Sequence, residues 1–121
     1  MKPTTRLLIF LMALPTACTN DNLDELSLDP GPCDTTAVTY SATVRPILAA
    51  NCYSCHSSAD PSGGVVLDTH AGVSQPAGSG KLLGVISHAP GFVPMPQSGG
   101  KLSDCNITKI RQWIEAGAPD N

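Results

Sequence analysis

Pro46-Ile47-Leu48-Ala49-Ala50-Asn51-Cys52-Tyr53-Ser54-Cys55-His56 is the stretch on which the fold turns. Val44, Ile47 and Leu48 fall on one face at helical spacing, which predicts a helix from about Thr43 to Cys52. Pro46 sets its start. With Thr43 as N-cap, Pro46 falls in the first turn, where its missing N–H costs no helical hydrogen bond. A start at Ser41 would place the proline in the helix interior. The helix therefore runs into a pair of thiols three positions apart with an imidazole directly after them.

A second helix is written just as plainly near the C-terminus. Ser103 is a good N-cap, and Asp104 suits the positive end of the helix dipole. Ile107, Ile110, Trp113 and Ile114 make an apolar stripe, with Trp113 read as core. Gly117 provides the stop and Pro119 lies just beyond. Between the two helices, Leu82–Ser87 reads as a short helix and Thr69–Val73 as a single turn. Ala89–Gly100 holds three Gly and three Pro and reads as an extended loop. The chain has 121 residues, with eleven Gly and eleven Pro, which is room for one domain rich in turns. Domains this small often need a disulfide, metal or cofactor to complete the core.

The N-terminal stretch reads differently. Lys2 and Arg6 precede the apolar run Leu7–Leu14, too short for a bilayer, which needs about 20 residues. Residues 1–17 are expected to be a secretory signal peptide. Pro15-Thr16-Ala17-Cys18 resembles the lipobox of bacterial lipoproteins, although Pro15 stands where Leu is usual. That resemblance implies acylation of Cys18 and a membrane anchor without a spanning helix. Residues 18–36, acidic and holding Pro30-Gly31-Pro32, read as a flexible tether, with the domain over 37–121. The mature chain keeps five basic residues against ten acidic ones, and no basic patch points to nucleic acid.

Cys52-Tyr53-Ser54-Cys55-His56 has the C-x-x-C-H form of c-type haem attachment. Two thiols at that spacing can reach two vinyl groups on one porphyrin edge, and the next imidazole can bind the iron axially. On this reading Cys52 and Cys55 carry haem c and His56 is the proximal ligand. A thioredoxin-type redox pair would call for a βαβ setting. A zinc site would call for a second Cys/His pair, and none follows. Met1 and Met12 leave with the signal peptide, so Met95 is the one methionine of the mature chain. Pro94 and Pro96 stiffen the backbone around it, which suits presentation of its thioether as the second ligand. His70 and His88 are rival ligands, and bis-His ligation through His88 stays open.

The order helix, C-x-x-C-H, loops, Met and C-terminal helix resembles the class I c-type cytochrome domain. The likeness is to small domains of bacterial lipoproteins and covers residues 40–119. It is carried by Pro46-Ile47-Leu48, Cys52, Cys55-His56, Gly63-Gly64, Gly80-Lys81-Leu82, Pro94-Met95-Pro96 and Trp113–Pro119. It implies an all-α, cytochrome c-like fold of few helices whose long loops wrap one haem, with the first and last helices packed together. The loop-rich middle departs from the family by leaving its middle helices undefined. With Cys18 acylated and two thiols on haem, Cys33 and Cys105 remain, and in an oxidising compartment they are expected to pair.

No acid/base pair, nucleophilic triad or phosphate loop is present in the sequence. The expected function is therefore single-electron transfer between exported redox partners, on the periplasmic side or at the cell surface, by a carrier that is not an enzyme. Docking to donor and acceptor would be transient, with Phe92, Val93 and Pro94 as an apolar rim. Two alternatives come from other classes. One is a haem enzyme or gas sensor in which Met95 is labile. The other is a redox-inactive binding lipoprotein.

Overall fold

Thr39 opens the first helical segment. Its hydroxyl accepts from the Ala42 N–H at 3.2 Å, and the turn Tyr40–Val44 is a π-helical one. Helix α1, Arg45–Asn51, follows without a break and carries Pro46 in its first turn. The segment thus begins four residues before the expected cap at Thr43. The physical reason is Pro46, whose ring cannot approach the carbonyl four residues back. The wide turn, in which Val44 N–H donates to Thr39 C=O, lets the chain enter the helix upstream of that ring. The computed structural model describes residues 32–121, and the expectations for residues 1–31, the signal peptide and the lipidated Cys18, lie outside them.

Cys52 interrupts the helix. Its backbone departs from helical values, and α2, Tyr53–His56, is a single turn beyond the break. A 3₁₀ turn, Ser62–Gly64, and an extended strip then lead to α3, His70–Gly78, capped by the Thr69 hydroxyl. The single turn expected over Thr69–Val73 is here a longer helix. Gly72, Pro76 and Gly78 read as breakers, but burial of Val73, Pro76 and Ala77 outweighs their propensities. Helix α4 covers Lys81–Ile86, and α5 covers Asp104–Glu115. Ala89–Gly100 contains no regular element. The architecture is all-α, with no strand among the described residues.

The Pro32–Asn121 unit is built on one apolar core. Val44 and Leu48 from the first segment meet Ile107, Ile110 and Trp113 of α5, with Leu67, Val73, Leu82, Ile86 and Leu102 around them. Helix α5 packs on the π-turn and on α4, α3 packs on α4, and α1 packs on α2. Trp113 is the largest fully buried side chain. It stacks on Tyr40 at 5.6 Å, and its indole N–H donates to Pro119 C=O at 2.9 Å. Gly117 ends α5 at a φ of +92°, a conformation that only glycine adopts without strain. A disulfide joins Cys33 to Cys105 and holds the start of the unit to the first turn of α5.

Candidate functional site

A large cavity opens in the unit beside the thiol turn. It measures 1230 Å³ and lies among α2, the 3₁₀ turn, α3, α4 and the 91–98 loop. It exceeds the range of about 300–1,000 Å³ usual for small-molecule sites. Cys52, Cys55, His56 and Met95 all line it, so residues far apart in the chain share one wall system.

The break at Cys52 presents the thiol turn. Cys52 N–H closes the end of α1 on Leu48 C=O at 2.7 Å, and Cys52 C=O accepts from both Cys55 N–H and His56 N–H. The two thiols meet different surroundings. Cys52 is half-buried, and burial, followed by the nearby Cys55, pushes its thiol up to about 11. Cys55 is exposed. Neither is in a disulfide. The His56 imidazole is oriented by a backbone carbonyl: Nδ1 lies 3.3 Å from Val65 C=O, which can only accept, so Nδ1 carries the proton. Leu67 N–H donates to His56 C=O at 2.8 Å and fixes the same turn from its other end.

Met95 is held through its backbone. Its N–H donates to Val85 C=O at 3.0 Å, and its C=O accepts from His88 Nε2 at 3.1 Å. His88 is therefore engaged in positioning the Met95 loop. His70 belongs to the core edge, where Nε2 lies 2.9 Å from Ala118 C=O and the ring meets Tyr40 edge-on at 4.9 Å. Neither rival histidine is among the lining residues.

The walls are mainly apolar, and much of this was invisible in the sequence. Phe92 lies across Gly84: a Cβ there would stand 2.6 Å from the ring, so α4 carries glycine where the ring must approach its backbone. Gly72 is as close to Val66, whose carbonyl would stand 2.5 Å from an added Cβ. Phe92 and Val93 are exposed and line the cavity, whereas Pro94 is not among its lining residues. Lys81 is the one Lys or Arg of the lining, and the lining holds no carboxylate.

Among the described residues, no group of three or more His, Cys, Asp or Glu side chains is placed to hold a metal ion. The c-type cytochrome reading is corrected on that finding. Haem c attached through Cys52 and Cys55, iron held by His56 and Met95, and the single-electron transfer built on them are not carried forward. A protein-held metal draws on several convergent donors, whereas the acidic side chains of this unit stand away from the cavity wall. Among the described residues no helix is long and apolar enough to cross a membrane. No protein-family model, curated protein or solved structure matches the chain.

Proposed function

We propose that residues 32–121 form an exported binding module for a bulky, mainly apolar organic molecule that carries an acidic group. The observation that carries this reading is the cavity itself, 1230 Å³ within so short a unit. Apolar lining surface supplies affinity in proportion to the area removed from water, and a few polar groups fix orientation. Lys81, as the only lining Lys or Arg, supports a carboxylate or sulfonate on the ligand. Binding without turnover is the proposed activity, because no carboxylate lines the cavity to pair with His56 for acid/base work.

The Cys33–Cys105 bridge supports export to an oxidising compartment, since such bonds persist there and are rare in the cytosol. Anchoring through an acylated Cys18 is the other part of the proposed location, on the periplasmic side or at the cell surface.

Titration of the mature protein with a polarity-sensitive anilinonaphthalene sulfonate tests the site. Saturable binding at one site is expected. Ala71→Trp, on an exposed lining position of α3, should weaken it at least about tenfold by filling the cavity. Lys81→Gln should weaken the sulfonate dye and spare its uncharged analogue. Unsaturable binding, or binding indifferent to Ala71→Trp, rejects the proposal.

A further inference from the structure

Cys52 and Cys55 are the cysteines of residues 32–121 that stand outside a disulfide, and ligand binding as proposed above uses neither. Cys33 and Cys105 are bridged in the same unit, so conditions that close one pair act on the other as well. Backbone geometry favours closure. Cys55 N–H donates to Cys52 C=O at 3.1 Å. A turn closed by such a bond holds its end Cα atoms within about 7 Å, and disulfides span Cα separations of about 4.4–6.8 Å. Cys52 stands at the break between α1 and α2, with φ −128° and ψ −34°. Closing a bridge there adjusts a junction, not a helix interior.

The two thiols differ in the way that thiol exchange requires. Cys55 is exposed, and the Ser54 hydroxyl donates to its sulfur at 3.8 Å. Cys52 is half-buried, and burial, then the neighbouring Cys55, pushes its thiol up to about 11. An accessible sulfur can attack first and a sheltered one can resolve. Both residues line the cavity, which is wide enough to admit a small molecule beside them. The lining holds Lys81 and no carboxylate, so an acidic disulfide meets no like charge there. The chemistry needs two sulfurs in reach and an open approach, which this all-α unit supplies without a βαβ setting.

We propose that Cys52 and Cys55 form a thiol–disulfide exchange site for low-molecular-weight disulfides at the cavity wall. Cys55, as the thiolate, attacks one sulfur of the small disulfide. That S–S bond breaks, one half leaves as a thiolate, and a mixed disulfide stands on Cys55. The Cys52 thiol then gives up its proton and attacks the Cys55 sulfur, and the second half leaves. The two protein thiols are oxidised to a Cys52–Cys55 bridge, and the small disulfide is reduced to two thiols. The two protons lost by the protein are the two gained by the leaving thiolates.

The test incubates the purified protein with reduced and oxidised glutathione in graded ratios and quenches in acid. Free thiols are then alkylated, and the peptide that holds both cysteines is mapped by mass spectrometry, apart from the Cys33–Cys105 bridge. As the ratio turns oxidising, the parent should pass from two alkylated thiols to a Cys52–Cys55 bridge with no glutathione retained. Cys52→Ser should hold glutathione on Cys55 as a lasting mixed disulfide. Cys55→Ser, left with the sheltered thiol, should take up glutathione at least about tenfold more slowly than Cys52→Ser. The parent alone can overturn the proposal, whatever the variants do. Two thiols alkylated at every ratio, glutathione retained on the parent, or a pair neither alkylated nor bridged would each do so.

Discussion

Cys52 and Cys55 stand one helical turn apart and meet water differently. The thiolate is the reactive form, and burial holds Cys52 protonated up to about 11. Iodoacetamide at pH 8 should therefore label Cys55 well before Cys52, read by peptide mass spectrometry over time. Equal labelling rates would contradict the burial of Cys52. Asp68 titrates at the other end of the scale. The backbone N–H of Ser58, then its hydroxyl, holds the Asp68 carboxyl below its usual value. A depressed carboxylate contributes stability above the unfolded-state value of 3.8, and that contribution is lost as pH falls through the lower folded value. Asp68→Asn should thus flatten the acid limb of a stability–pH profile below about pH 4, with its modest loss of stability seen at neutral pH and vanishing in acid. The side chains of the site were legible because their types are scarce: one closely spaced thiol pair and one methionine within residues 32–121. Their supports were not, because Val65 C=O and Val85 C=O act through backbone atoms that every residue has.

Among the elements, α5 could be read almost residue by residue. Ser103 accepts from Asn106 N–H at 3.2 Å, and Ile107, Ile110 and Trp113 are buried as their spacing demands. Ser103→Ala should cost about 1 kcal/mol, measured by urea unfolding. The first segment and α3 were less legible. A π-turn has no sequence period of its own, and the helical length of α3 depends on packing that overrides Gly72 and Pro76. Gly72→Ala tests that close packing. Its Cβ would strike the backbone carbonyl of Val66, which cannot rotate away, so a loss of roughly 1–3 kcal/mol is expected. Gly84→Ala meets only the movable ring of Phe92. It should disturb the cavity mouth, seen as altered dye affinity, more than overall stability.

At the scale of the whole unit, the Cys33–Cys105 bridge spans 72 positions of sequence. On the chain-entropy account, a loop of that length stabilises the folded state by about 4 kcal/mol. The double variant Cys33→Ser, Cys105→Ser should lose stability on that scale in urea, and an unchanged midpoint would show that the bridge constrains little. The all-α class followed from helical periodicity at both ends of the domain, and the pairing of Cys33 with Cys105 followed from assigning the other cysteines elsewhere. The volume of the cavity could not be read from the sequence. It arises where α3, α4 and the 91–98 loop stand apart around the thiol turn, a matter of tertiary spacing. The central claim is that this space reversibly holds an organic ligand. The most direct measurement is intact mass spectrometry of the mature protein from its exporting host, taken under native and then denaturing conditions. The account predicts a native mass raised by one organic molecule and a denatured mass equal to the disulfide-bonded polypeptide alone. A bare chain under native conditions would contradict it, as would an added group that survives denaturation.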